Sequence, residues 1–546
     1  MMIYDEMQFE QPVATLIAFD STGVISALAE MATWQKTHYL LGYMRYEARH
    51  VFQGEEFVSK LPLLYFQVFE SYRPYARNPH SNPLTIDLQP RAQLTFSDYS
   101  SAFDAIKAEQ RGGNTYEVNY SYDYAVDYEE GDELALYEQL LMRQKTSYTA
   151  FIQNGYETML SFSPELFFEI SDRHITTRPM KGTVKRGKSL EEDAQLIDFL
   201  KTDEKNRAEN VMIVDLMRND LGRIAETGTV KVTKLFDVET HPTVHQMTSQ
   251  IEADLKENTS LFDICQALFP NGSVTGAPKL STMAIIDKLE RGSRDIYCGA
   301  IGFLSPEQTI FSVPIRILQR KKGQKSFKYR VGGAIVWDSE VKDEWLETQN
   351  KTAFLENDLQ IIETFKLENG KALMKNEHLA RLKKSAEYYG FAYHPERVEA
   401  AITKPEKSSE IMRLALNHDG TFELTYRAAK SFSTVTISEH IVDSQADFLY
   451  HKTSKRPYFK AGQDELFFNE KGELTEMSRA NIVLDLAGEL VTPPVTSGLL
   501  QGLYREKLLA SGKITERILY REDLLKADKI YCCNSIQGLQ EVILLQ

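Results

Sequence analysis

The chain has 546 residues, 42% of them hydrophobic and 11% aromatic. It is too long for one core and too apolar for disorder, and at roughly 100–200 residues per domain it should hold three or four folding units. Its net charge of −15 argues against a nucleic-acid or anionic-membrane partner, though a few buried cations can still receive a small anion.

The four cysteines, Cys265, Cys298, Cys532 and Cys533, lack CxxC spacing and read as reduced thiols of a cytoplasmic protein. The stretch from Met1 to Gln11 has neither the basic nor the apolar part of a signal peptide, so none is expected. No apolar run is long enough to span a bilayer. In chain order, Thr37–Glu47 and Leu61–Phe69 read as β-rich. Asn114–Val126 reads as a strand whose Tyr116, Val118, Tyr120, Tyr122 and Tyr124 share one face at period two. Lys205–Ile224 predicts a helix with Val211, Val214, Leu216, Met217 and Leu221 on its apolar face. A second helix is predicted from Trp345 to Ile362, leading out of a first module that ends near residue 357. From Glu363 a new unit begins: strand, turn at Asn369-Gly370, strand, then a helix through His378, Arg381 and Ala386. No Gly/Ser- or Pro-rich linker separates residues 1–357 from 358–546, so a rigid or very short connection is expected.

Several stretches carry chemistry. Glu165, in Ser163-Pro164-Glu165-Leu166-Phe167, and Lys181, in Arg178-Pro179-Met180-Lys181-Gly182-Thr183, form a credible acid and nucleophile pair. Glu209 falls on the predicted helix, and Glu344 and Glu347, at i and i+3, share a face of another. Carboxylates converging from two helices suit Mg²⁺, which takes oxygen ligands and keeps several waters. No Cys/His spacing suggests zinc. Asn271–Lys279 is glycine-rich ahead of a helix signal but breaks the phosphate-loop spacing; its N–H groups suit a carboxylate instead. Gly332-Gly333 permits close approach, and Arg316 suits bidentate carboxylate binding. Taken singly, each of these is as well explained by a turn or a solvated charge.

Their order is not. Ser163–Phe167, Pro179–Thr183, Glu209–Arg223, Phe269–Lys279, Tyr297–Gly302 and Gly332–Lys351 together resemble the chorismate-utilising enzymes, which include anthranilate, salicylate, isochorismate and aminodeoxychorismate synthases. The likeness is densest between residues 95 and 355. It implies an α+β fold with a β-sandwich core and surrounding helices. It implies Glu165 as the acid for a departing 4-hydroxyl, Lys181 as the nucleophile that adds to the ring, and His245 as an active-site histidine. Glu209, Glu344 and Glu347 would hold Mg²⁺, and Thr183, Thr275, Tyr297, Arg316, Gly332 and Lys351 would bind substrate. A lysine at 181, where anthranilate synthases carry alanine, resembles the aminodeoxychorismate type. Such a lysine, with an ordinary pKa of about 10.4, is less than about 0.1% neutral at pH 7, so a depressed pKa is expected, with Mg²⁺ and Arg316 as the cations. Two positions depart from the pattern. Asn206 stands where relatives carry an acid. Glu117 stands where amino-transferring relatives carry Gln and water-adding ones Lys; its carboxylate either attracts ammonium or faces solvent.

The remaining residues resemble fold-type IV pyridoxal-phosphate enzymes, a group that includes aminotransferases and aminodeoxychorismate lyase. The likeness rests on Leu449–Thr453, Leu474–Ile482, Ser497–Leu503 and Asn534–Leu539. It implies Lys452 as the Schiff-base lysine, Glu476 facing the pyridine nitrogen, and Arg381, Leu503 and Ser535 at the phosphate. The module is expected to be shortened at its N-terminus, and Tyr504 replaces a small hydroxyl residue. A homodimer through this module is a further expectation.

Together the two resemblances imply synthesis of p-aminobenzoate for folate: chorismate and ammonia to 4-amino-4-deoxychorismate, then loss of pyruvate. The alternatives are an anthranilate-type synthase fused to an aminotransferase, or a synthase with a non-catalytic docking module. No glutamine-hydrolysing motif is visible, so ammonia or a separate glutamine amidotransferase subunit is expected to supply nitrogen.

Overall fold

The structure is a computed structural model. It describes residues 1–76, 88–128, 131–144, 146–187, 190–240, 244–355, 359–403, 411–429, 433–456 and 464–545. Two compact units divide the chain: Met1–Lys185 with Leu196–Asn357, and Arg186–Gln195 with Asp358–Gln546.

The first unit is built on two antiparallel ten-stranded sheets. One begins at the short strand Gly276–Ala277 and runs through Glu117–Asp127, Ser326–Ile335, Ile317–Lys321, Glu157–Ser163 and Tyr148–Gln153 to the N-terminal strands. The other begins at Met180–Lys185 and runs through Val244–Asp254, His174–Arg178, Leu166–Ser171 and Gln308–Ser312 to Ala300–Leu304, Tyr39–Met44, Leu64–Phe69 and Ala14–Ala18. Tyr4 and Phe9 of the first sheet and Phe303 and Phe168 of the second belong to one buried cluster, the centre of a sandwich. A second cluster, on the first sheet, takes Tyr99, Phe103 and Ile106 from helix Phe96–Arg111 and Leu136, Tyr137 and Leu140 from helix Glu133–Arg143. Helix Phe96–Arg111 starts where it does because Thr95 and Asp98 form a capping box.

The predicted strand appears as Glu117–Asp127, with Val118, Tyr120, Tyr122 and Tyr124 buried. Tyr116 lies outside it and is 65% exposed, a departure from the period-two face. The predicted helix appears as Glu204–Ile224; Val214, Met217 and Leu221 are buried, while Val211 is exposed because it turns off that stripe.

The helix expected from Trp345 to Ile362 is instead Val341–Asn350, and Ile361 opens a strand. Tyr329 donates its hydroxyl to the Lys351 carbonyl at 2.8 Å, which satisfies a helix-end acceptor. Leu355 then turns fully into the core. Residues 356–358 of that expected helix, and Thr243 beside His245, lie outside the described residues.

The second unit has two sheets. The strands Lys371–Ala372, Ile361–Glu368, Ile411–Leu416 and Phe422–Arg427 form the smaller, on which helix Lys375–Tyr389 packs Leu382 and Ala386. This is the predicted strand–turn–strand–helix, closed by Gly390 at φ 70°, where a side chain would be strained. In the larger, Leu474–Met477 pairs with both Glu465–Asn469 and Ala480–Leu486, so the order through Thr434–Val442, Gly538–Leu544 and Lys529–Asn534 closes into a ring. Closure sets Glu476 opposite Asn481.

Candidate active sites

In the first unit the lysine strand is irregular. Its register against Val244–Asp254 shifts between Met180 and Thr183, and Gly182 takes φ 93°. This is a bulge, the device that re-aims a side chain out of a sheet. Lys181 is 8% exposed, and its Nζ donates to Glu117 Oε1 at 2.5 Å. Asn210, on the helix Glu204–Ile224, donates Nδ2 to the Lys181 carbonyl at 3.2 Å and accepts from Ser249 Oγ at 2.6 Å, pinning the bulge. Glu117 is fully buried and does not face solvent. Its backbone is held by the Gly276 turn: a Cβ on Gly276 would come within 2.0 Å of the Glu117 carbonyl oxygen.

Lys181 does not have the depressed pKa expected of it. Burial pushes its ammonium down, but the Glu117 carboxylate, with Glu209 and Glu347 further off, outweighs burial and holds it above the ordinary lysine value. The charges that act on it most strongly are these carboxylates, not Arg316.

Glu165 lies 3% exposed, with Ser273 Oγ donating to its Oε1 at 2.5 Å and Asn271 Nδ2 at 3.4 Å. Burial pushes its carboxyl up to about 7, against the opposing pull of Ser273 and of Lys181, so it is an acid poised to give a proton near neutrality. Ser273 sits in the turn Gly272–Val274, and Arg294 clamps that turn to the neighbouring strand, donating Nη1 to the Val274 carbonyl and Nη2 to that of Asn119. Glu290 holds Arg294 at 2.7 Å and Arg330 at 2.8 Å. Sequence reading missed Asn210, Ser273 and Arg294; the Asn271-Gly272-Ser273 turn, already marked as glycine-rich, was the available signal for Ser273.

The substrate candidates gather unevenly. Gly332 admits no side chain: its Cβ would stand 2.8 Å from Asn119 Oδ1. Lys351 donates Nζ to the Gly332 carbonyl at 2.8 Å and pairs with Glu347 at 2.7 Å. Thr275 is buried, its carbonyl accepting from Asn119 N at 2.9 Å. Tyr297 is buried with the Arg294 guanidinium 6.0 Å from its ring centroid. Arg316 holds φ 55°, a strained backbone for a non-glycine residue, and its Nη1 is buried without an acceptor. That orphan donor is what a substrate carboxylate would satisfy. His245 is buried with Nδ1 3.0 Å from Thr240 Oγ1, while Thr183 is exposed on its strand.

Glu344 and Glu347 reach over Gly333, where an added Cβ would stand 3.4 Å from Glu344 Oε2 and 3.9 Å from Glu347 Oε1. Burial first, then Glu347 and Glu209, push the Glu344 carboxyl up to about 7 against the pull of Ser339 and Lys351. Asn206 takes a structural part, donating to the helix-capping Asp203 at 2.8 Å. Among the described residues no group of three or more His, Cys, Asp or Glu side chains closes around a metal position. The donor set nonetheless fits Mg²⁺ in kind: all oxygen, with two carboxylates over one glycine.

In the second unit Lys452 is part-buried, its backbone carbonyl accepting from Ile362 N at 2.7 Å. Burial, Arg381 and Arg456 together push its ammonium down to about 8, against Glu363 and Glu476. Glu476 is 4% exposed; its Oε2 accepts from Leu500 N at 3.2 Å, and its Oε1 pairs with the Arg456 guanidinium at 3.5 Å. Burial pushes its carboxyl up to about 7 against the pull of Arg456. A buried carboxylate within electrostatic reach of a lysine of lowered pKa fits a pyridinium N–H and a carbonyl cofactor. Arg381 is held bidentate by Glu363 at 2.8 Å for both bonds, with Nη1 toward the Gln501 carbonyl at 3.4 Å. Leu503 is the first residue of a helix that Gly502 caps, and a Cβ on Gly502 would collide with Asn481 Oδ1 at 1.9 Å. Ser535 lies in the turn between Lys529–Asn534 and Gly538–Leu544, and the Tyr504 hydroxyl closes over Gly538.

The sequence profile of chorismate binding enzymes matches residues 5–357, and the chain belongs to that family. The profile of class IV amino-transferases matches residues 360–544, so a chorismate-binding module is followed by an aminotransferase-like one. Among curated relatives, aminodeoxychorismate synthase component 1 of Salmonella typhimurium is 40% identical over 276 residues, 50% of this chain and 60% of that one. Its Escherichia coli counterpart is 40% identical over 269 residues, 49% and 58% of the two chains. Anthranilate synthase component 1 of Thermococcus kodakarensis is 38% identical over 240 residues, 44% and 54%. The chain thus spans 60% or less of the length of these relatives. Anthranilate synthase component I from Streptococcus pneumoniae shares the fold of the first module, with a TM-score of 0.57 at 23% identity over 65% of this chain and 92% of that one. No helix among the described residues is long and apolar enough to cross a membrane.

Proposed function

We propose that the chain makes p-aminobenzoate in two consecutive steps. The first module converts chorismate and ammonia to 4-amino-4-deoxychorismate, and the second removes pyruvate. The observation that carries the reading is Glu165, a buried acid pushed up to about 7 that is close enough to feel the charge of Lys181, so that a proton donor and a nucleophile are within electrostatic reach of each other.

In the first step Arg316, with its orphaned Nη1, takes a substrate carboxylate, Gly332 lets the ring approach the strand, and Glu165 gives its proton to the departing 4-hydroxyl. Lys181 adds to the ring and is displaced by ammonia. Glu344 and Glu347, with Glu209, would hold Mg²⁺, which when bound offsets substrate charge. In the second step Lys452 removes the proton from the carbon bearing the new amine, and Glu476 would pair with the pyridine nitrogen of a bound cofactor. Arg381, the Leu503 helix start and Ser535 would receive the phosphate of pyridoxal phosphate, which when bound supplies an electron sink.

Nitrogen comes from ammonia or from a separate glutamine amidotransferase. The four cysteines of the chain are buried, their thiols pushed up by burial to about 12 at Cys265, Cys298 and Cys533 and about 11 at Cys532, so none suits glutamine hydrolysis. Incubating the purified chain with chorismate, ammonium, Mg²⁺ and pyridoxal phosphate tests the reading by chromatography. The expected aromatic product is p-aminobenzoate; anthranilate overturns the proposal.

A further inference from the structure

We propose that Glu117 is the general base that takes the proton from the Lys181 ammonium, making the amine that attacks the ring; this rests on the nucleophilic reading of Lys181 given above. Glu117 Oε1 lies 2.5 Å from Lys181 Nζ, and both residues are buried. Glu117 Oε2 is buried and meets no hydrogen-bond partner among the described residues, so none of them holds that side of the carboxylate. The contact joins the two sheets at fixed points, because Gly276 locks the Glu117 backbone and Asn210 locks that of Lys181. A lysine enclosed in this way gives its proton to bulk water only slowly, and the acceptor in contact with it is Glu117.

The step balances. One N–H proton of Lys181 passes to Glu117 Oε1, and the freed lone pair forms the N–C bond to the ring. Ring electrons shift to the 4-position, the C–O bond breaks, and the oxygen leaves as water with the Glu165 proton. When ammonia displaces Lys181, the departing nitrogen keeps its bonding pair and recovers the proton from Glu117. The incoming nitrogen sheds one proton to Glu165. Four carboxylates therefore act on the lysine's proton: Glu117 in contact, and Glu209, Glu347 and Glu165 at longer range.

An internal base makes the rate insensitive to the fraction of free lysine in solution. The test is the rate of covalent attachment of chorismate to Lys181 in the full chain, without ammonia, quenched and read by intact mass between pH 5 and 6, below the range in which Glu165 loses its proton. In the wild type this rate is expected to stay level. In Glu117→Gln, which must release the proton to solvent, it should fall tenfold per unit of decreasing pH and lie roughly a hundredfold lower at pH 6. Glu117→Asp should be slower but level. Unchanged KM for chorismate shows that the variants keep a folded site. If Glu117→Gln forms the adduct at the wild-type rate with the same pH profile, Glu117 is not the base, while the nucleophilic reading stands. No adduct in the wild type overturns both.

Discussion

The Trp345 indole stacks on the Tyr122 ring with centroids 5.3 Å apart and planes 8° from parallel. Tyr122 also bonds Thr348, one turn further along the same helix, at 2.7 Å. These two contacts seat the helix Val341–Asn350 on the sheet and leave Glu344 and Glu347 over Gly333, where a cation would be received.

Changing Glu347 to Gln is therefore expected to raise the Mg²⁺ concentration for half-maximal chorismate turnover by roughly tenfold or more. The melting temperature should shift little, because this carboxylate is not what seats the helix. A Mg²⁺ titration of initial rate beside a thermal melt checks both, and a chelator should stop turnover in the wild type.

Ser273→Ala removes the hydroxyl that stabilises the charged form of Glu165. The carboxyl, held near 7, should then rise further, by roughly one unit for a hydrogen bond to a charged group. Because the acid must be protonated to act, the wild-type rate should fall as pH rises through about 7, and the variant's fall should come at higher pH. A pH profile of kcat/KM for chorismate would show the displacement; an unmoved alkaline limb would count against Glu165 as the acid.

Lys181→Ala should lower p-aminobenzoate formation from chorismate and ammonia by roughly a hundredfold or more, or redirect it to another product. The second step, assayed on supplied 4-amino-4-deoxychorismate, should keep its wild-type rate. Formation of p-aminobenzoate at the wild-type rate would remove the covalent role.

Lys452→Ala should let 4-amino-4-deoxychorismate accumulate while chorismate consumption continues. Glu476→Ala should slow the same conversion by roughly tenfold or more, since the carboxylate proposed to face the pyridine nitrogen is gone. Product ratios by chromatography separate the steps. Full p-aminobenzoate output from the Lys452→Ala chain, with no other lyase present, would make the second module a docking element instead.

Gly276→Ala places a Cβ within 2.0 Å of the Glu117 carbonyl at a backbone φ of 135°. Strain of about 1–3 kcal/mol is expected, read as a lower melting temperature together with slower adduct formation at Lys181.

Much of this was legible in the amino-acid order. Period-two tyrosines marked the strand Glu117–Asp127, a 3.6-residue stripe marked the helix Glu204–Ile224, and Asn369-Gly370 marked the turn that opens the second unit, because these patterns are local. Ordered motifs singled out Glu165, Lys181, Lys452 and Glu476 as candidates. What the order of residues could not decide is what each side chain faces. Whether Glu117 met solvent or Lys181, whether Lys181 was pushed down by cations or held up by carboxylates, and that Ser273 and Asn210 support the two reacting groups depend on long-range contacts. Glu117 and Lys181 are 64 residues apart and on different sheets. The charge state of a buried group follows from its neighbours in space, and only the folded chain brings those neighbours together.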